Sequence, residues 1–156
     1  MTTPSVTTGM LIRRPVSEVF QAFTEPGVTS WFWFTHADRR LTVGSEATWT
    51  WGMYGVSTRV AVKAMTSDRR ILIDWHLEDH PSEIEILFEE RGRSTWVEII
   101  NRGFEDTEDG MAAALDAKEG FALVLAGAKL WLEQAIEPRF VLDRFPDQVR
   151  EDWKLR

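Results

Sequence analysis

Apolar residues follow two different periods along the chain, and the first of them is helical. Residues 5 to 13 are rich in Val and Thr and predict an opening strand. Apolar side chains at positions 16, 19, 20 and 23 then share one face of a helix, which Pro26 and Gly27 end. A second short helical turn leads to four consecutive aromatics at residues 31–34. Because four neighbouring side chains cannot share one direction, we expect some in the core and others facing a different environment.

From Leu41 onward the apolar positions alternate with a period of two, which predicts β-strands. Ala47, Trp49 and Trp51 fall on one face of such a strand. Polar turns near residues 52–55, 67–70, 79–82 and 92 separate the runs, so the strands form an antiparallel meander that ends at residues 95–101. The phase of this last strand is ambiguous, because Trp96, Glu98 and Ile100 compete with Val97 and Ile99 for the inner face.

A long helix follows the meander. An acidic connector at residues 105–110 precedes an apolar stripe of helical period from about residue 112 to about residue 136, and residues 137–156 form a tail. A curved sheet buries its apolar face only by wrapping around another element, and this helix has the required length. The sequence therefore predicts one α+β domain over residues 1–156, with a helix-grip fold. A curved antiparallel sheet of six to seven strands wraps around the long C-terminal helix, and two short helices follow strand 1.

Composition narrows the range of partners. The net charge of −7 argues against nucleic acid as the main partner, and no apolar run is long enough for membrane insertion. The absence of cysteine excludes disulfides, thiolate metal sites and a cysteine nucleophile, and the N-terminus has no leader pattern. We therefore expect a cytoplasmic protein. Eight Trp and nine Phe against one Tyr favour a thick core or an apolar cavity.

Three segments resemble one known family. Residues 20–32 (FQAFTEPGVTSWF), 120–133 (GFALVLAGAKLWLE) and 143–146 (DRFP) are similar, in this order, to segments of proteins related to the C-terminal domain of the Hsp90 ATPase activator. These proteins belong to the START-like, or SRPBCC, superfamily. The resemblance implies an apolar cavity between sheet and long helix that binds hydrophobic small molecules, as in polyketide cyclases and lipid-transfer domains. Hsp90 is not an expected partner, because the co-chaperone's additional N-terminal domain has no counterpart in this sequence.

Large apolar residues on the predicted inner faces are the candidates for a ligand-binding wall, since apolar pockets with few polar groups are the usual small-molecule sites. Any one of them could equally be core, because buried Trp and Phe carry large apolar areas wherever they lie. A wall rich in tryptophan favours a flat or aromatic ligand, and Trp33 and Phe34 are expected at its lid or rim. The candidates are Trp33, Phe34, Trp49, Trp51, Trp75, Phe121, Leu125 and Trp131.

An enzyme of the cyclase or dehydratase type is one alternative to a binding protein. It requires an acid or base that faces the cavity, and the candidates are His36, Arg59 and Glu98. We expect no cofactor.

Metal binding is a weaker alternative. His76, Glu78 and His80 would share one face of an extended strand, as in a two-histidine, one-carboxylate site. Pro81 interrupts the strand, and this face lies opposite the apolar one, so we expect a solvent-exposed hairpin end and no metal.

Protein interaction is the other alternative. Exposed aromatics in residues 31–34 would form an apolar patch for a homodimer or for a stress- or chaperone-linked adaptor.

Overall fold

Seven strands form one antiparallel sheet in the computed structural model of the protein, which describes residues 3–155. Their order across the sheet is β1-β7-β6-β5-β4-β3-β2, so only β1 joins the sheet out of chain order. The strands are β1 Ser5–Ile12, β2 His36–Ala37, β3 Glu46–Trp51, β4 Val56–Thr66, β5 Arg70–Trp75, β6 Ser82–Arg91 and β7 Ser94–Arg102. This meander confirms the predicted antiparallel sheet.

Four α-helices accompany the sheet within residues 3–155. They are α1 Val16–Thr24, α2 Pro26–Thr29, α3 Glu108–Gln134 and α4 Phe140–Arg144, and a 3-10 turn follows at Pro146–Gln148. The two short helices after β1 and the long helix after β7 confirm the predicted helix-grip arrangement. Within residues 3–155, no helix combines the length and the apolar character needed to cross a membrane.

The start of α3 lies four residues before the predicted position. The side chain of Thr107 accepts a hydrogen bond from the Gly110 N–H at 3.0 Å, which caps the first turn. Glu108 and Asp109 follow in that turn, where carboxylates favour the positive end of the helix dipole. The acidic residues assigned to the connector therefore belong partly to the helix. The helix ends at Gln134, two residues before the predicted end, because Ala135 has a left-handed backbone with φ of 53°.

The core lies between the inner face of the sheet and helices α1 and α3. Phe23 contacts Phe32 and Phe88 edge-on, with ring centroids 5.3 and 5.8 Å apart. Over most of the central strands every second residue is buried in the same core, as the period of two requires. Buried aliphatic side chains from those strands complete the layer: Ile71, Ile73, Ile84, Ile86, Val97 and Ile99.

A small polar cluster fixes the C-terminal part of α3 to β1. Glu133 accepts a hydrogen bond from the Arg13 N–H at 2.7 Å, and Lys129 donates to the Leu11 carbonyl at 2.8 Å and to Glu133 at 2.7 Å. Partial burial alone would raise the pKa of Glu133, but these donors outweigh it and hold the pKa below its usual value. The helix is therefore fixed along β1.

The structure corrects one predicted feature of the strands and decides another for which the sequence allowed two answers. Strand β5 ends at Trp75, because His76 adopts a left-handed backbone with φ of 57°. The extended strand that would place His76, Glu78 and His80 on one face therefore does not continue past Trp75. In β7, Thr95, Val97, Ile99 and Asn101 are buried, and the residues between them face outward. This places Glu98 on the outer face.

Candidate functional site

A cavity of about 900 Å³ lies between one end of the sheet and the first half of α3, and α4 borders it on a third side. Aromatic rings form its apolar wall. Trp33 lies 6.4 Å from Trp75 and 5.9 Å from Phe121, and Trp75 lies 5.6 Å from Phe121, all between ring centroids. Trp51 and Val124 extend this wall. The cavity has the size and lining typical of sites for small apolar molecules.

Trp33 connects the cavity wall to the core. Its side chain is only 5% exposed and also contacts Phe23 and Trp49, at centroid distances of 6.4 and 4.9 Å. The segment is positioned by the turn after α2, in which the Trp33 N–H donates to the Thr29 carbonyl at 3.0 Å. The Trp51 indole N–H in turn donates to the Trp33 carbonyl at 3.0 Å. These bonds fix the ring of Trp33 at the boundary between core and cavity.

Polar side chains of neighbouring strands line the sheet side of the cavity. Asn101 of β7 is 1% exposed, and its amide nitrogen donates to Ser82 Oγ at 3.0 Å and to the Glu83 carbonyl at 2.9 Å. The Trp75 indole N–H also donates to Ser82 Oγ, at 2.9 Å. The amide oxygen of Asn101, by contrast, has no hydrogen-bond partner among residues 3–155.

A second polar group on this wall joins a histidine to a carboxylate through a hydroxyl. Thr58 Oγ1 donates to Glu78 Oε1 at 2.6 Å and lies 2.9 Å from His76 Nδ1. Because the single proton of Thr58 goes to Glu78, its oxygen accepts from His76, so Nδ1 carries the ring proton. The left-handed backbone of His76 turns this side chain into the cavity wall.

The charge states of this group follow from its surroundings. Burial lowers the pKa of His76 below its usual value, against the opposing influence of Glu78 and Asp79. The hydrogen bond from Thr58 is the main cause that lowers the pKa of Glu78. At neutral pH the ring is therefore neutral, and its Nε2 is a hydrogen-bond acceptor and a base.

Helix α4 borders the cavity and is held by polar contacts of two side chains. Arg144 donates to the Asp116 carbonyl at 3.0 Å and to its carboxylate at 2.7 Å, and lies 3.3 Å from Glu119. The Tyr54 hydroxyl donates to the carbonyls of Val141 and Leu142, and burial raises the pKa of Tyr54. The C-terminal tail, which the sequence predicts as a segment of its own at residues 137–156, therefore forms part of the cavity border.

The structure distributes the eight predicted wall residues over three places. Trp33, Trp51, Trp75 and Phe121 line the cavity. Phe34, Trp49 and Leu125 are buried in the core, because Phe34 packs on Trp49 behind the wall at a centroid distance of 4.9 Å. Trp131 stacks on Trp31, with rings 4.3 Å apart and 12° from parallel, away from the cavity.

The predicted acid and base candidates do not line the cavity. His36 is exposed on the short edge strand β2, and Arg59 is exposed on β4, where it pairs with Glu46 at 3.3 Å. Glu98 accepts from the Trp96 indole N–H at 3.1 Å on the outer face of β7. Each of these three residues occupies a strand position whose side chain points away from the core, as every second side chain of a strand does.

The expected direction of His76 and the expected aromatic patch also differ from prediction. No group of three potential metal ligands of the His, Cys, Asp or Glu types occurs within residues 3–155. His76 was expected to face solvent, but it lines the cavity because β5 ends before it. Of residues 31–34, Phe32, Trp33 and Phe34 are buried, so they form no exposed aromatic patch.

Sequence reasoning missed the polar wall residues. For Asn101 a signal existed, since it continues the period of two set by Val97 and Ile99 and so falls on the inner face. For His76 and Ser82 no local signal existed, because the turn between β5 and β6 decides their direction.

The comparisons with known proteins agree with this architecture. The family model described as activator of Hsp90 ATPase homolog 1-like protein matches residues 13–130. The chain belongs to this family. The match covers α1, the whole meander and most of α3, and it confirms the START-like resemblance carried by residues 20–32 and 120–133. No curated protein sequence is similar to the chain at a significant level.

Several solved structures share the fold. Protein SSP2350 from Staphylococcus saprophyticus is 25% identical, with a TM-score of 0.77 over 87% of this chain and 96% of that one. DynU16, a putative protein in the dynemicin biosynthetic locus, is 17% identical with a TM-score of 0.76, over 86% of this chain and 48% of that one. The Aha1 dimer from Colwellia psychrerythraea is 18% identical with a TM-score of 0.74, over 84% and 97%.

Proposed function

We propose that the protein binds a hydrophobic small molecule in the cavity between the sheet and α3. The observation that carries this proposal is the cavity itself, whose volume of about 900 Å³ is bordered by the rings of Trp33, Trp75 and Phe121. The lining is mostly apolar, and the polar groups beside it would fix the orientation of a bound ligand.

The family relationship also supports this proposal. Membership of the activator of Hsp90 ATPase homolog 1-like family implies an apolar cavity between sheet and long helix, and DynU16, which shares the fold, is a putative protein in the dynemicin biosynthetic locus. We further propose that residues 1–156 form a single START-like domain and that the protein acts in the cytoplasm. Hsp90 is not among the proposed partners.

Filling the cavity with a larger side chain tests the proposal. Ala117 lines the cavity on α3, one helical turn before Phe121, so the indole of Ala117→Trp would occupy space beside that ring. We expect the variant to bind the neutral dye Nile red at least about 10-fold more weakly than the wild type, a loss of about 1.4 kcal/mol. The measurement is the increase in dye fluorescence on titration.

Leu115→Trp is the matched control. It introduces the same side chain on the same helix at a position that is 63% exposed and outside the cavity, so Nile red binding should not change. If the dye binds neither the wild type nor the control, or binds all three proteins equally, the cavity is not the binding site and the proposal fails.

Acid–base catalysis on the bound molecule is the second candidate function. The specific observation in its favour is the group of Glu78, Thr58 and His76, which orients a neutral imidazole base on the cavity wall. The three residues that the sequence proposed for this role lie elsewhere, so the enzyme alternative now depends on His76.

Mass spectrometry of the compound that the protein carries from its host separates catalysis from binding. The variant His76→Asn keeps a residue type that tolerates the left-handed backbone but removes the base. If His76 is catalytic, the variant should carry a compound that the wild type converts to one of different mass. If both proteins carry the same compound unchanged, the enzyme alternative fails and binding remains.

A homodimer is the remaining alternative. It is favoured by the dimeric state in the name of the Colwellia psychrerythraea structure and by exposed apolar residues such as Met111 and Leu115 on α3. Light scattering at several protein concentrations measures the mass directly.

A further inference from the structure

A histidine nitrogen on the cavity wall can accept a hydrogen bond that no residue in the described part of the chain supplies. We propose that the cavity selects hydrophobic molecules that carry a weakly acidic hydroxyl group, as in a phenol or an enol, and that this hydroxyl donates to His76 Nε2. The inference rests on the proposed binding function and names the class of ligand. It follows from the bonds that orient the imidazole, from the accessibility of Nε2 and from the state of the neighbouring polar groups.

The orientation of the imidazole is fixed by the bonds on its other side. Thr58 Oγ1 donates to Glu78 and accepts from His76 Nδ1, which lies 2.9 Å away. Glu78 is held in turn by the Arg59 N–H, which donates to its second carboxylate oxygen at 3.1 Å. A neutral imidazole whose Nδ1 carries the proton has its free lone pair at Nε2. The ring therefore offers an acceptor at Nε2.

The Nε2 atom of His76 is accessible, unlike other unpaired polar atoms of the structure. His76 is half-buried and lines the cavity, and within residues 3–155 the hydrogen bond of its side chain is made through Nδ1. The buried side-chain atoms without a hydrogen-bond partner in that range are Asn101 Oδ1, Arg144 Nε and Trp153 Nε1. His76 Nε2 is not one of them although it also lacks a partner, so a molecule in the cavity can reach it.

The backbone of His76 is a second observation that points to a role of this side chain. Its φ of 57° lies in the left-handed region, where a residue other than glycine costs conformational free energy. The turn that holds this backbone includes a hydrogen bond from the Asp79 N–H to the His76 carbonyl at 3.1 Å. Glycine at residue 76 would avoid the cost but would also remove the ring from the cavity wall.

The neighbouring polar groups of the lining are largely occupied by the protein itself. Ser82 Oγ accepts two hydrogen bonds, at 2.9 and 3.0 Å. Ser57 Oγ lies 2.9 Å from Thr50 Oγ1, and the Tyr54 hydroxyl donates to backbone carbonyls of α4. A ligand in this part of the cavity therefore finds an unpaired acceptor at His76.

An acceptor at Nε2 determines which ligand group fits. An ether, ketone or carboxylate oxygen cannot bond to a neutral Nε2, because both partners would be acceptors. A basic nitrogen forms its stronger hydrogen bonds with more acidic donors, and phenol and enol hydroxyls are more acidic than those of alcohols. The chain of hydrogen bonds to the Glu78 carboxylate polarises the ring and strengthens this acceptor. The mostly apolar lining would hold the rest of such a molecule.

Two naphthalene derivatives of similar shape test the inference by isothermal titration calorimetry at neutral pH. We expect 2-naphthol to bind the wild-type protein about 5- to 10-fold more tightly than 2-methoxynaphthalene. The ether would exclude water from Nε2 without replacing its hydrogen bond, whereas the naphthol hydroxyl replaces it. Equal affinities, or tighter binding of the ether, would overturn the inference.

The variant His76→Gly locates the effect, because glycine suits the left-handed backbone and removes only the side chain. The preference for naphthol over the ether should disappear in this variant. His80→Gly is the matched control, since His80 also lines the cavity but is exposed and lies 3.5 Å from Asp79, and here the preference should persist. A preference that survives in His76→Gly, or is lost in His80→Gly, would place the hydroxyl elsewhere and contradict the inference.

Nitrogen-15 NMR of protein with labelled histidine observes the contact directly. The chain has three histidines, so the His76 signals can be assigned by their loss in His76→Gly. We expect Nε2 of His76 to be the unprotonated ring nitrogen, and we expect 2-naphthol to shift its resonance to lower frequency. 2-Methoxynaphthalene should leave this resonance nearly unchanged. A proton on Nε2 in the free protein, or an equal response to both compounds, would refute the inference.

The outcomes separate the inference from the function on which it rests. If Nile red binds but naphthol and ether bind equally, the cavity binds apolar molecules and His76 does not select among them. If neither compound binds, and Nile red does not bind either, both proposals fail. If His76→Gly does not fold, the comparison of the two compounds on the wild-type protein still decides the inference.

Discussion

Trp33→Ala is expected to lower the free energy of unfolding by about 3–5 kcal/mol, which is the usual cost of removing a buried tryptophan side chain. The indole is 5% exposed and lies in contact with the rings of Phe23, Trp49 and Phe121, so its removal leaves a void between core and cavity. The void would merge with the cavity rather than close, because the surrounding rings belong to three different elements. Urea unfolding followed by far-ultraviolet circular dichroism measures the change.

Trp31→Ala provides the matched comparison, two residues earlier in the chain. Trp31 is only partly buried, where it stacks on Trp131, so its loss should cost less, about 1–2 kcal/mol. A cost for Trp33→Ala no larger than that for Trp31→Ala would show that Trp33 does not connect core and cavity.

Gly110→Ala is the second substitution with a large expected effect. A Cβ atom at residue 110 would lie 1.8 Å from the backbone oxygen of Glu105. This steric clash can be removed only if the backbone moves. The connector before α3 would have to shift, or the first turn of the helix would have to open and lose the cap from Thr107. We expect a loss of about 3 kcal/mol in the free energy of unfolding, at the upper end of the usual range for overpacking.

Gly27→Ala is the control for this prediction. Gly27 lies in α2, and a Cβ atom there would meet no other atom within 4 Å. The same chemical change should therefore leave stability unchanged or raise it by about 0.4–1 kcal/mol, through the entropy of the unfolded chain. A small effect at both glycines would mean that the connector yields easily and that Gly110 does not fix the cavity border.

The two substitutions should also act differently on the cavity. Trp33→Ala enlarges it from the side of the core, whereas Gly110→Ala displaces the segment from Gly103 to Glu105 that lines its rim. We therefore expect each variant to change the affinity for Nile red even under conditions in which it is folded.

Much of the fold could be predicted because it depends on local periodicity. The helical stripe at residues 16–23 and the alternation along β3 to β7 are set by which side chains must leave water, and each pattern selects one period. The family segments at residues 20–32 and 120–133 added the order of the elements. The early start of α3 was missed because acidic residues suit both a solvated loop and the first turn of a helix.

The candidate site could be predicted only in part. Trp33, Trp51, Trp75 and Phe121 were recognisable as large inward-facing aromatics and do line the cavity. Trp49 carries the same sequence signal but lies behind the wall, because the difference between core and cavity depends on how far the sheet and α3 separate. The separation between the sheet and α3 cannot be predicted from any pattern along the chain.

By itself the sequence determined the α+β class, the antiparallel meander, the long closing helix and the family, since these follow from hydrophobic period and from ordered motifs. Only the tertiary structure decided which polar groups face the cavity. His76 enters the wall through one left-handed backbone angle, and Asn101 depends on the register that brings β6 and β7 together. The Asn101 amide nitrogen bonds to Ser82 and Glu83, which lie 19 and 18 residues away along the chain, so this contact depends on strand pairing and not on local sequence.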